Sequence, residues 1–165
     1  MSKRPIIIDT DPGIDDALAI AIALFSEELE VKLITTVAGN VSLDKVTNNA
    51  LRLLAFFGKD VPVAAGAEKP LICELVDASN VHGASGMEGF DFPEPKKELL
   101  LKENAVNAMY RTIMESDEPI TLMPIAPLTN IALLFAVYPE VKGKIREIVL
   151  MGGSAARGNK GVMSE

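Results

Sequence analysis

The sequence predicts an α/β protein: a Rossmann-like, mainly parallel sheet with helices on both faces. Three observations predict it. Short apolar runs such as Ile6-Ile7-Ile8 are continuous and β-branched, the pattern of strands buried on both sides. These runs alternate regularly with longer helical stretches, which favours parallel pairing through crossovers. The unusual polar residues fall just after the strands, the edge where open α/β sheets bind ligands.

In chain order, Pro5 to Asp9 reads as the first strand. Pro12 to about Ser26 reads as a helix, with Pro in its first turn and Asp15 and Asp16 at the positive end of its dipole. Val31 to Val37 is a second strand running into Ala38-Gly39-Asn40. Ser42 to Phe57 is a helix with Ser42 as its N-cap, and Val61 to Ala64 a short third strand. Gly66 to Pro95 is rich in Gly, Ser, Asn, Asp and Pro. A loop of that length is expected to be functional or mobile. Lys102 to Ser116 is a helix, Ile120 to Ile125 a strand, Pro127 to Tyr138 a helix and Glu147 to Met151 the last strand.

The 165 residues suffice for one domain with a sizeable core. The net charge of −7 argues against non-specific nucleic-acid binding and against an anionic membrane surface. The apolar run Ala17 to Phe25 falls well short of the roughly 18 residues that span a bilayer. Lys3 and Arg4 precede an apolar run that Asp9 cuts short, unlike a signal peptide. Cys73 is the only cysteine, which fits a reducing compartment. Together these make the cytoplasm the expected location.

The strongest chemical signal is the elbow Asp9-Thr10-Asp11-Pro12-Gly13-Ile14-Asp15-Asp16, set between a buried strand and a buried helix. Carboxylates that crowded repel one another, and burial adds a desolvation cost. A cation relieves both. Carboxylate and carbonyl oxygens suit calcium or magnesium rather than zinc or copper. A water beside such an ion and a spare carboxylate is a hydrolytic nucleophile. Asn40, at the end of the second strand, stands near the elbow as a ligand contact or a turn residue. His82, the single histidine, lies among Asn80, Val81, Gly83 and Ala84. Those small or flexible neighbours suit a substrate-contacting loop as well as a structural role. Gly152-Gly153-Ser154 lacks phosphate-loop spacing and reads as backbone that a ligand can approach.

With these residues assembled, the chain resembles the nucleoside N-ribohydrolases, the inosine–uridine preferring nucleoside hydrolases, and most of all the broad-specificity bacterial ribonucleoside hydrolases. The elbow through Ala17 carries the resemblance. So do Thr35-Thr36-Val37-Ala38-Gly39-Asn40, Val81-His82-Gly83-Ala84-Ser85-Gly86-Met87, Pro127-Leu128-Thr129-Asn130-Ile131-Ala132 and Val149-Leu150-Met151-Gly152-Gly153. The resemblance implies calcium-dependent hydrolysis of the N-glycosidic bond of purine and pyrimidine ribonucleosides, giving ribose and free base in nucleoside salvage. It implies Asp11 as general base and metal ligand, Asp16 as a bidentate ligand, and the carbonyl of Ile125 as a further ligand where the family often has Thr. Asp15 and Asn40 would hold the ribose hydroxyls. Met151, Asn159 and Glu165 would line the ribose site, and His82 would sit beside the base. A homo-oligomer, dimer or tetramer, is implied as well.

The resemblance also implies that residues 1–165 are the N-terminal part of a single nucleoside hydrolase domain, with the C-terminal half absent. That half would supply another Asp for calcium and the His that protonates the leaving base. Two other readings compete. One is a haloacid-dehalogenase-like magnesium phosphatase with Asp9 as nucleophile. The other is a non-catalytic, truncated domain.

Overall fold

The structure, a computed structural model, describes residues 3–153 and residue 155. Its elements are β1 (Arg4–Thr10), α1 (Ile14–Phe25), β2 (Leu29–Thr36), α2 (Leu43–Phe57), β3 (Val63–Ala65), α3 (Ser79–His82), α4 (Ala105–Glu115), β4 (Ile120–Pro124), α5 (Thr129–Val137) and β5 (Ile145–Ile148). Short 3-10 turns cover Lys97–Leu99 and Pro139–Lys144.

The five strands pair in the order β3-β2-β1-β4-β5, every pair parallel. This is the expected α/β architecture. Side chains alternate across β1. Ile6 and Ile8 join Ile20, Ala23, Leu53 and Leu54 in a core beneath α1 and α2. Ile7 points the other way, into a core with Met109, Ile113 and Leu134 from α4 and α5. A strand buried on both faces needs apolar residues at consecutive positions, hence the unbroken Ile6-Ile7-Ile8.

Helix α2 is amphipathic for the same reason, with Val46, Ala50, Leu53 and Leu54 inward. It stops at Gly58, whose left-handed backbone (φ 63°) turns its N–H back to the carbonyls of Leu54 and Ala55.

The topology creates the site. The chain steps from β1 out to β2 and β3, then returns to β4 on the other side of β1. Asp9 is level with Thr35 on one side and with Pro124 on the other. The carboxyl ends of β1, β2 and β4 therefore open side by side at a topological switch point.

Several element ends differ from the expectation. β5 begins at Ile145, because Ile145 is already paired with Ile120. Beyond it, the N–H groups of Val149 and Met151 still donate to the carbonyls of Leu122 and Pro124. Ser42 stands at the N-cap of α2 but makes no side-chain cap bond there. The irregular 66–95 stretch contains the single-turn α3. Among the described residues no helix is long and apolar enough to cross a membrane.

Candidate active site

After Thr10 the chain must leave β1 and enter α1 within a few residues, and Asp11-Pro12-Gly13 makes that turn. Asp16 locks it. Its Oδ1 accepts the Thr10 hydroxyl at 2.7 Å and its Oδ2 accepts the Gly13 N–H at 3.0 Å. Asp16 thus serves as a helix cap as well as a candidate ligand. Gly13 leaves room for His82, since a Cβ there would lie 2.7 Å from His82 Nδ1 and the ring would have to shift.

Asp11 is held from the β2 side. Its Oδ2 accepts the Asn40 backbone N–H at 2.6 Å. The Asn40 side-chain amide donates to the Asp11 carbonyl at 2.9 Å and reaches Asp16 Oδ2 at 3.4 Å. Asn40 therefore ties both acids together from the neighbouring strand end.

The electrostatics follow from burial. Asp11 and Asp16 are each only 5% exposed. Burial first, then the charge of Asp16, pushes the Asp11 carboxyl up to about 8, against hydrogen bonds that oppose the shift. Asp16 is also raised, again mainly by burial. Two buried carboxylates that cannot both ionise at low cost need a proton or a cation between them. Oxygen donors of this kind suit a hard divalent ion. Asp11, Asp16 and the Ile125 carbonyl are the candidate protein donors. Among the described residues no group of three or more His, Cys, Asp or Glu side chains is placed to hold a metal.

One cavity of about 780 Å³ opens over this edge of the sheet. It brings together Asp11, Asp15, Asp16, Asn40, His82, Ile125 and Met151, which the sequence had marked singly. Asn159 and Glu165 lie outside the described residues. The acids and Asn40 form a polar floor. Val76, Val81 and Leu18 add apolar wall. His82 accepts the Ile14 N–H at its Nδ1, at 3.4 Å, so the loop that carries it rests against the start of α1. Asp15 is exposed while its neighbour Asp16 is buried, a consequence of successive helix positions pointing apart.

Asp9 behaves differently. It is 1% exposed and does not line the cavity. Its Oδ1 accepts from Thr35 Oγ1 at 2.5 Å and from Asn130 Nδ2 at 2.8 Å, and its Oδ2 has no partner among the described residues. Burial pushes its carboxyl up to about 6. That environment does not suit a nucleophile that must meet a phosphate, so the geometry disfavours the phosphatase reading.

Two supporting residues had no role in the sequence reading: Asn49, which it passed over, and Asn130, which it marked only within the motif Pro127 to Ala132. Asn130, fully buried, also donates to the Thr36 carbonyl at 3.0 Å and accepts the Ala67 N–H at 2.9 Å, joining the ends of β1, β2 and β3. The available signal for Asn49 was positional. It falls on the inward face of α2, between Val46 and Ala50, where a polar side chain needs a partner.

Comparisons with known proteins identify relatives of this chain. The family described as inosine-uridine preferring nucleoside hydrolase matches residues 6–165. The non-specific ribonucleoside hydrolase RihC of Klebsiella pneumoniae (strain 342) is 60% identical over 157 residues, 95% of this chain and 51% of that protein. RihC of Salmonella agona (strain SL483) is 59% identical over 93% of this chain and 50% of its own length. The chain thus spans about half the length of these curated relatives. Among solved structures, the purine-preferring ribonucleoside hydrolase from Gardnerella vaginalis superposes with a TM-score of 0.89 at 31% identity, covering 96% of this chain and 52% of that one. The plant nucleoside hydrolase PpNRh1 gives 0.87 at 37% identity, over 97% and 51%. The chain belongs to the inosine-uridine preferring nucleoside hydrolase family.

Proposed function

We propose that this chain carries the ribose- and metal-binding side of a calcium-dependent hydrolase that cleaves purine and pyrimidine ribonucleosides to ribose and free base. The observation that carries the reading is the buried Asp11–Asp16 pair, clasped by Asn40 and sharing one cavity with His82.

Asp11, Asp16 and the Ile125 carbonyl would hold the ion. When bound there, calcium would supply positive charge that acidifies water and attracts neighbouring hydroxyl oxygens, which would favour ribosides over deoxyribosides. The chain's own residues do the rest. Asp11 would take a proton from the attacking water as general base, a role open to it once a bound cation offsets the burial and the Asp16 charge that otherwise hold its proton. Asp15 and Asn40 orient the ribose hydroxyls, with Met151 against the sugar. The carboxylates also stabilise the positive charge that develops on ribose as the N-glycosidic bond breaks. His82 lines the same cavity, where the base would stack or hydrogen-bond. Asn159 and Glu165 complete the ribose contacts in this reading.

In the same reading the enzyme works in cytoplasmic nucleoside salvage as a dimer or tetramer. Ile22 and Phe25 on α1, 64% and 59% exposed, are apolar surface that an assembly would cover.

The test is reducing-sugar release from inosine and uridine, with calcium and with EDTA, beside a p-nitrophenyl phosphate control. Calcium-dependent ribose release that EDTA and Asp11→Asn abolish is the expected result. Magnesium-dependent phosphatase turnover without ribose release would overturn the reading. No turnover of any substrate would favour the non-catalytic domain instead.

A further inference from the structure

Helix α2 presents Lys45, Asn49 and Arg52 along one side, and all three reach the segment that follows α3. Lys45 Nζ donates to the Ala84 carbonyl at 2.6 Å. Arg52 Nε donates to the Pro93 carbonyl at 3.0 Å, and its Nη2 to that of Phe92. Lys45 is exposed and Arg52 half-buried, so water competes for their bonds. Asn49 is different. It is 3% exposed, and its Nδ2 donates twice, to the Ser85 carbonyl at 2.9 Å and to the Pro12 carbonyl at 3.1 Å.

Pro12 belongs to the acidic elbow, and Ser85 to the segment that carries His82. One buried amide group therefore joins the elbow to the segment that carries His82, beside the bond from the Ile14 N–H to His82 Nδ1, with both of its protons in use. The loop is shaped to reach it. Gly86 has φ +85°, and a Cβ there would stand 3.0 Å from Asn49 Nδ2 and 2.9 Å from Val41 Cγ2. Only a glycine lets the backbone come that close in that conformation.

We propose that Asn49 is a positioning residue that fixes the distance between the Asp11–Asp16 pair and His82. It thereby sets where His82 stands against the acids in the cavity that would take a sugar joined to a base. The identity of that ligand rests on the proposed function, whereas the coupling of elbow and loop rests on the geometry alone. Neither Asn49 nor Gly86 lines the cavity, so their replacement acts through the residues that do.

The test uses hydrogen exchange by mass spectrometry on the full 165-residue chain, as wild type, Asn49→Asp and Gly86→Ala, with calcium and inosine titrations beside it. Asn49→Asp is nearly isosteric but turns acceptors toward two carbonyls. Gly86→Ala leaves Asn49 intact and pushes the loop off it, so it decides the matter if the first variant fails to fold. Exchange across residues 79–92 is expected to rise about tenfold or more in both variants, the loss expected for a buried hydrogen bond, with β1, β2 and α4 within about twofold of wild type. Inosine affinity is expected to fall about tenfold while calcium affinity changes less than about threefold. Unchanged exchange at 79–92, or a uniform rise through sheet and helices, would overturn the proposal. Local loosening in a chain whose wild type binds no inosine would uphold the coupling and count against the nucleoside reading.

Discussion

Asn40 and Asp11 grip each other through main chain and side chain at once. The Asn40 N–H donates to Asp11 Oδ2 at 2.6 Å, and the Asn40 amide donates to the Asp11 carbonyl at 2.9 Å. The end of β2 thus orients the carboxylate proposed as general base, which itself follows β1. Only a sheet with those two strands adjacent and parallel produces this clasp.

Gly39 tests how tight the clasp is. A Cβ at Gly39 would stand 2.1 Å from Asp11 Oδ2, with no room for both. Gly39→Ala should displace the Asp11 carboxylate at a stability cost of about 1–3 kcal/mol, typical of overpacking. Calcium titration should show affinity lowered about tenfold or more. Unchanged affinity would mean that Asp11 tolerates rotation without losing the ion.

The raised carboxyls make stability pH-dependent in a defined direction. Asp11 has an ordinary value of 3.8 and a folded value of about 8, so between those limits the folded chain holds a proton that the unfolded chain has released. The stability from that proton is complete below the lower value and is lost as pH rises through the upper one. In EDTA, Asp11→Asn should therefore melt higher than wild type at pH 8.5, and the gap should close towards pH 4. Calcium should raise the wild-type melting temperature at pH 8.5 and leave the variant little changed. Parallel melting curves at all pH values would contradict this.

Asn130 reaches Asp9 across 121 residues of sequence and bonds the ends of three strands. Asn130→Ala should cost on the order of 2–4 kcal/mol in urea unfolding, because it leaves buried polar groups unpaired. Asn130→Asp should be worse at pH 7.5, where it sets a second carboxylate against Asp9. The two variants should converge near pH 5, below the Asp9 value of about 6.

His82 should separate base recognition from metal binding. His82→Ala removes an acceptor from the half-exposed Ile14 N–H, a small loss at a solvated bond. Calcium-induced stabilisation should be unchanged, whereas inosine affinity should fall. A lost calcium response would place His82 in the metal site instead.

Much of this architecture was legible in the residues. Ile6-Ile7-Ile8 announces a doubly buried strand, and the acids after it mark the edge that matters. Asp11, Asp16 and Asn40 could be marked because unusual density and strand-end position are local properties. Other features were hidden. α3 is a single turn with no periodicity to detect. β5 is an edge strand whose Arg146 and Glu147 are exposed, which blurs its apolar pattern and its start at Ile145. Asn49 and Asn130 read as ordinary helix residues because their partners lie tens of positions away, at contacts that exist only after the crossovers are made.

The most direct measurement is calorimetric titration of the chain with inosine and with 2′-deoxyinosine, each in calcium and in EDTA. Calcium-dependent binding of inosine, with 2′-deoxyinosine clearly weaker and Asp11→Asn silent, is the result expected if the acidic elbow holds an ion that holds a ribose. Equal binding with and without calcium, or no preference for the 2′-hydroxyl, would contradict the account.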